Sequence, residues 1–204
     1  MAPLATALGR PTLGRSWGSF MTLLIVGLAL FVGIHLVPSH SPLRTALTAA
    51  IGENGYKILF SVISVAGLVV TVMGYRAAPV SPIFTPSRTA HDLLPIAMAV
   101  AFILLAAAYM PGRIRRVVRH PMMAGVLIWA VMHLLANGDL ASNILFGAFA
   151  LWAVFSILSS ERRGKRLGDD RVSLMADLAA IVVGLAGFAV VLYFHEALFG
   201  AAPI

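Results

Sequence analysis

Long apolar runs separated by short polar stretches dominate the chain. Six of these runs approach the length of about 20 residues that a helix needs to cross a bilayer. They lie near residues 21–38, 57–75, 93–110, 121–136, 140–158 and 174–194. The pattern therefore predicts an all-α fold, a polytopic membrane helix bundle of about six transmembrane helices.

The fourth and fifth runs lie unusually close together. Only Asn137, Gly138 and Asp139 separate them, and the fourth run is short for a full span. So short a connection predicts that the fourth and fifth helices form a tight hairpin. The alternative is a re-entrant pair that enters and leaves the membrane on one side.

The segments outside the runs are short. We interpret residues 1–20 as a disordered N-terminal extension, residues 21–194 as the transmembrane domain and residues 195–204 as a C-terminal tail. Arg10 and Arg15 precede the first run, as basic residues do in a signal peptide. No small-residue cleavage site follows that run, so we expect it to be retained as a helix.

Composition agrees with the hydropathy pattern. The chain has 204 residues, of which 60% are hydrophobic and only 11% are charged, and its mean hydropathy is +0.93. Soluble domains are about one-quarter charged, so these values indicate an integral membrane protein. The chain has no cysteine, which excludes disulfides, thiolate metal ligands and cysteine nucleophiles.

The basic residues predict the orientation of the bundle. Four of them fall on one side of the six spans and eleven on the other. The positive-inside bias therefore places loops 39–56, 111–120 and 159–173 in the cytoplasm and both termini outside. We assign the net charge of +7 to this bias and to contact with anionic lipid headgroups, and not to nucleic acid. The smaller set is Arg10, Arg15, Arg76 and Arg88; the larger is Arg44, Lys57, Arg113, Arg115, Arg116, Arg119, Arg162, Arg163, Lys165, Arg166 and Arg171.

The same orientation sorts three histidines by depth. His35 and His120 fall near the cytoplasmic boundary. His133 is about 20 Å further along a straight helix and about 140° around it, so it cannot join His120 at one small metal. Its spacing to Trp129 and Asn137 predicts a separate polar cluster near the far boundary.

A structural role is the alternative for each of these side chains. A lone histidine near a membrane boundary is often an interfacial residue or a hydrogen-bonded helix contact, whereas ionisable groups inside a membrane are functional candidates. For His40, His91 and His195, in or beside loops, we expect only a structural role. The basic run at 113–119 is typical of a solvated collar against the lipid headgroups.

Several stretches together resemble one family. The runs FVGIHLVPS (31–39) with SPLR after it, IGENGYKILFSVIS (51–64), RHPMMAGVLIWAVMHLLANGDLASNILFG (119–147) and ERRGKR (161–166) are similar to NnrU membrane proteins. The likeness covers most of residues 21–166 and is most specific in the HP…W…HLLANGD stretch. The last span carries almost none of it.

This resemblance implies a cofactor and a location. NnrU proteins are bacterial inner-membrane proteins associated with denitrification and nitric oxide metabolism. The family is similar to 15-cis-zeta-carotene isomerase, a membrane enzyme that acts on an apolar polyene and uses haem b with histidine ligation. By that likeness His35 and His120 are the expected haem ligands, with Arg44, Arg116 and Arg119 near the propionates. The absence of cysteine leaves no thiolate to exchange with imidazole at the iron.

Two other functions stay open. One is a non-enzymatic membrane accessory or regulatory protein, in which the histidines only tie helices together. The other is methyl transfer from S-adenosylmethionine, because RHPMMAG is similar to the RHP-x-x-x-G of isoprenylcysteine carboxyl methyltransferase-like enzymes. Those enzymes add paired glutamates and an FG-x-x-Y element; this chain offers only Glu161 and no such tyrosine. We rank methyl transfer third.

The orientation can be tested by cysteine labelling. Because the chain lacks cysteine, a single cysteine introduced at Ser159 is a unique label on the side predicted to be cytoplasmic. We expect a membrane-impermeant thiol reagent to leave it unmodified in intact cells and to modify it after permeabilisation. Labelling in intact cells would contradict the predicted orientation.

Overall fold

Helices account for almost all of the regular structure. A computed structural model describes residues 13–164 and 172–201, with side chains from residue 18 onward. Five of the helices are long and apolar enough to cross a membrane, and α5 is a shorter apolar one. This confirms the predicted all-α polytopic membrane bundle. The elements are α1 (Leu13–Leu36), a 3-10 turn (Val37–Ser39), α2 (Ser41–Ala77), α3 (Arg88–Ala107), α4 (Arg113–Val118), α5 (Pro121–Ala136), α6 (Leu140–Arg162) and α7 (Leu174–Phe199).

The long helices pack in the order α2, α1, α6, α5, α3, α7. At one end of the bundle Arg76 of α2 donates hydrogen bonds to the carbonyls of Ala197 and Leu198 in α7, over 2.7 and 3.1 Å. The outward faces carry large apolar side chains, such as Val65 and Val182, that are more than half exposed. Such faces suit lipid rather than water, so the chain is a multi-pass membrane protein.

The α5–α6 hairpin is confirmed, and its turn is covered by the α2–α3 connector. The Ile83 amide donates to the Gly138 carbonyl over 2.7 Å, and the Leu140 amide donates to the Ser81 carbonyl over 2.9 Å. A side chain on Gly138 would lie 2.1 Å from the Phe84 carbonyl oxygen, so glycine is required there. Because the turn meets the connector between the end of α2 and the start of α3, α5 runs the length of the bundle, which favours a crossing hairpin over a re-entrant one.

Three predicted boundaries differ from the structure. The predicted loop 39–56 is mostly helical, because α2 begins at Ser41 and bends only at Gly52, whose φ is 74°. The sequence pattern missed this part because its small and polar residues interrupt the apolar run. The predicted extension 1–20 overlaps α1, and the predicted tail 195–204 overlaps the end of α7. Residues 1–12 and 202–204 lie outside the described residues.

Glycines allow α1 and α2 to approach closely. A Cβ atom built on Gly74 would lie 2.3 Å from the Leu24 nitrogen, and one on Gly67 would lie 2.7 Å from the Phe31 nitrogen. Membrane helices associate through such small-residue contacts, because lipid provides little hydrophobic drive for helix pairing. The contact fixes α1 against α2 and thereby positions the end of α1, which carries His35.

We therefore expect Gly74→Ala to destabilise the protein by about 1–3 kcal/mol, since the added methyl group must push two helix backbones apart. Gly33→Ala is the matched control, because a Cβ there meets nothing within 4 Å; in a helix it should be neutral or slightly stabilising. Thermal unfolding in detergent measures both. Equal melting temperatures for the two variants would contradict the packing argument.

Candidate functional site

His35 lies in the last turn of α1 with its ring among aromatic side chains. Its Nδ1 lies 2.7 Å from the Phe31 carbonyl oxygen. A carbonyl only accepts, so Nδ1 carries the proton and Nε2 presents a lone pair in the neutral ring. The ring stacks on Phe31 at 4.2 Å between centroids and meets the edges of Phe60 and Trp152 at 4.9 and 5.1 Å.

Trp152, which contacts this histidine, and Tyr56, which contacts its neighbour Phe60, each carry a buried hydrogen-bond donor. The Trp152 Nε1 and the Tyr56 hydroxyl have no hydrogen-bond partner within the described part of the chain. Tyr56 contacts Phe60, which in turn contacts His35. A buried donor left unsatisfied costs about 1–3 kcal/mol. These donors are free to bond a ligand or a water molecule.

His120 lies just before α5, and its imidazole contacts an acidic residue. Pro121 occupies the first helical position, where its missing N–H costs nothing. The His120 Nε2 lies 2.8 Å from a Glu161 carboxylate oxygen, and the Arg119 guanidinium lies 3.5 Å from the same carboxylate. The sequence singles out Glu161 only as a glutamate of the methyltransferase-like pattern and gives no sign of its contact with His120. Its pairing with His120 joins residues that are 41 positions apart and therefore depends on the tertiary fold.

The two predicted haem ligands lie at the same end of the bundle. Arg163, two residues after Glu161, donates to the Ser39 carbonyl over 3.4 Å. Ser39 follows His35 by four residues, whereas Glu161 itself bonds His120. The end of α6 therefore contacts the segments that carry both histidines.

Within that end, the two imidazoles do not face each other. His35 contacts Trp152 of α6, and His120 contacts Glu161 of the same helix. These two α6 residues are nine positions apart, or two and a half turns, and so project from opposite sides of the helix. Ligation of one iron by both histidines therefore requires His120 to leave Glu161.

The three arginines predicted to contact propionates are dispersed. Arg44 pairs with Glu53 at 3.5 Å and lines a cleft of about 360 Å³. Arg119 pairs with Glu161, as described above. Arg116 is exposed on α4. The structure does not gather them around one point.

The basic helix α4 is anchored by a buried acid that the sequence did not reveal. Asp177 is only 6% exposed, and its carboxylate accepts hydrogen bonds from the amides of Arg113 and Ile114 over 2.9 and 3.0 Å. It thus caps α4 from the first turn of α7. A Cβ on Gly112 would collide with that carboxylate, so the cap requires glycine at this position.

The second histidine cluster lies at the opposite end of α5. The His133 Nδ1 donates to the Trp129 carbonyl over 2.8 Å, and the Asn137 amide donates to the His133 carbonyl over 2.9 Å. The His133 ring packs on Phe146 of α6 at 4.6 Å. Asn137 has an extended backbone with φ −117°, and its side-chain bond caps the end of the helix.

A hydrogen-bonded triad adjoins this cluster. Asp139 caps α6 by accepting from the Ser142 amide at 3.0 Å and the Ser142 hydroxyl at 2.5 Å. The Tyr75 hydroxyl lies 3.0 Å from the same serine oxygen. The cap could be recognised from the Asn-Gly-Asp turn, whereas Tyr75 is 67 residues from Ser142 and no local pattern links them.

This fold defines a multi-pass α-helical membrane protein with a histidine site at one end and a polar cluster at the other. The NnrU protein family matches residues 23–203, which includes the last helix that carried little of the sequence resemblance. The chain therefore belongs to the NnrU family. No curated protein and no solved structure matches it.

The contacts of His133 predict a structural role for it. We expect His133→Ala to lower the stability by about 1 kcal/mol, because the ring loses its packing on Phe146 and its bond to the Trp129 carbonyl. Any haem spectrum per molecule should stay unchanged. His91→Ala, at an exposed position of α3, is the control and should have little effect. Loss of haem at normal expression in His133→Ala would make His133 a ligand and contradict this assignment.

Proposed function

We propose that this NnrU protein binds haem b in a bacterial inner membrane, with His35 as one axial ligand and His120 as the other. The observation that carries the proposal is the orientation of His35. Its Nδ1 is bonded to a backbone carbonyl, which is the arrangement that orients many metal-ligating histidines and leaves Nε2 for the metal. The apolar rings around it suit the edge of a macrocycle.

The residues at this end fit the cofactor with one rearrangement. Trp152 beside His35 and Tyr56 beside Phe60 offer buried donors. For His120 to become a ligand, its hydrogen bond to Glu161 must break and the imidazole must move to the side of α6 that carries His35. Arg119 must likewise leave the same carboxylate before it can meet a propionate. Bound haem would supply one-electron chemistry.

We connect this site to nitric oxide metabolism rather than to polyene isomerisation. The chain has no cysteine, so the thiolate-for-imidazole exchange expected of an isomerase-type iron has no donor here. An accessory or regulatory role, in which the protein holds haem without turnover, remains compatible with the same ligands. An apolar small molecule would reach the site through the exposed apolar faces of α1 and α2.

Methyl transfer is the third candidate, after haem binding and the accessory role, and one contact favours it. The RHP segment and Glu161, two elements of the methyltransferase-like pattern, meet in the structure through His120 and Arg119. The glycine of that pattern, however, serves helix packing. A Cβ on Gly125 would lie 2.7 Å from the Ala101 carbonyl oxygen of α3, so glycine at this position is explained without a cofactor.

Haem spectroscopy tests the proposal. Protein purified after haem supplementation should show a Soret band with about one low-spin haem b per chain. His35→Ala should remove the spectrum and His120→Ala should remove or convert it, whereas the exposed His91→Ala should leave it unchanged. A colourless wild-type protein would overturn the cofactor, and an unaltered spectrum in both ligand variants would overturn the ligand assignment.

The Glu161→Gln variant distinguishes haem binding from methyl transfer. Replacing the carboxylate weakens the contact that holds His120 away from an iron, so this variant should keep or strengthen the haem spectrum. If the protein is a methyltransferase, the wild type should bind S-adenosylmethionine in calorimetry, and Glu161→Gln should weaken that binding. Binding of S-adenosylmethionine by a colourless wild type would favour methyl transfer.

A further inference from the structure

A polar cleft lies between the start of α2, the 3-10 turn and the end of α6. Its volume is about 360 Å³. Both charged residues in its lining are arginines, three others carry hydroxyl groups, and none of the aromatic residues around His35 belongs to it. The lining residues are Pro38, Ser41, Arg44, Thr45, Thr48 and Arg163.

Arg163 is held in place at the rim of this cleft. Its guanidinium donates to the Ser159 hydroxyl, to the Ser160 hydroxyl over 3.4 Å and to the Ser39 carbonyl over 3.4 Å. A guanidinium has five N–H donors in a fixed fork, so donors remain for a ligand. Because the side chain is already oriented, an anion that binds there loses less conformational entropy.

The opposite wall adds further groups that favour an anion. α2 starts at Ser41, so the positive end of its dipole lies at the cleft. The hydroxyls of Ser41 and Thr45 have no hydrogen-bond partner among residues 18–164 and 172–201. Arg44 is half exposed and pairs with Glu53 at 3.5 Å. Two guanidiniums, two hydroxyls and a helix end thus converge on one concave space.

The depth of the cleft identifies the anion. The cleft begins at Pro38, directly after α1 ends at Leu36. Apolar side chains flank it and are 37–46% exposed, namely Leu36, Leu43 and Ile51. It therefore lies where the hydrocarbon gives way to headgroups, and the anion always present at that depth is the phosphate of a phospholipid. The geometry points to this cleft as a binding site for the headgroup phosphate of an anionic phospholipid.

Glu53 limits the occupancy of this site. It pairs with both Arg44 and Lys57, at 3.5 and 3.8 Å, and its carboxylate competes with a phosphate for the Arg44 guanidinium. A bound headgroup must displace it. The neutral Glu53→Gln variant should therefore bind the lipid more tightly, an effect that misfolding could not produce.

The test measures lipid binding to the purified protein in micelles of a zwitterionic detergent, with phosphatidylglycerol and phosphatidylcholine as probes and native mass spectrometry as the readout. We expect phosphatidylglycerol to bind preferentially. Arg44→Gln and Arg163→Gln should each weaken it about tenfold, since one charge-assisted hydrogen bond is lost. Glu53→Gln should strengthen it several-fold. The matched control is Arg162→Gln, the exposed neighbour that does not line the cleft, and it should bind like the wild type.

Three outcomes would overturn the assignment. Equal loss of binding in Arg162→Gln and Arg163→Gln would mean that general basic charge, and not the cleft, attracts the lipid. Unchanged preference in both cleft variants would mean that the headgroup binds elsewhere. Inorganic phosphate or glycerol phosphate that binds the wild type as tightly as the lipid does would identify a soluble phosphate as the ligand. None of these outcomes depends on haem.

Discussion

Inside a bilayer, a backbone polar group has no water to bond and must find a partner in the protein. This constraint explains why the loops and helix ends at each end of the bundle form hydrogen bonds with one another. At one end, the α2–α3 connector and the α5–α6 turn exchange hydrogen bonds through Ile83, Gly138 and Ser81, and Asp139 caps α6. At the other end, Asp177 caps α4. The polar side chains described above lie at those two ends, because placing a polar side chain in the hydrocarbon between them costs more free energy.

Between the ends, helix packing depends on close backbone approach. A Cβ on Gly184 would lie 2.6 Å from Ile103 of α3, as one on Gly125 would collide with Ala101 and one on Gly74 with Leu24. A glycine thus allows close backbone approach in three helix pairs, α1–α2, α3–α5 and α3–α7. Such contacts resist sliding and rotation, since any shift brings backbone atoms together. Histidines at the ends of these helices are therefore held at defined positions.

Features local in sequence could be predicted, whereas those that depend on tertiary contacts could not. The spans followed from apolar length, and the grouping of Trp129, His133 and Asn137 followed from helical spacing. The start of α2 at Ser41 was missed because its residues are too polar and small to extend an apolar run. Phe60 and Trp152, which contact His35, and Glu161, which contacts His120, come from other helices, and a single sequence contains no period that links them.

The end of α6 contacts both the segment that carries His120 and the cleft at the start of α2. Glu161 points to His120 and Arg163 to the Ser39 carbonyl and the lipid cleft. The two residues are two positions apart, about 200° around the helix, so they serve opposite sides. The histidine site and the cleft are therefore held by neighbouring residues at one end of α6, each on a different side of the helix.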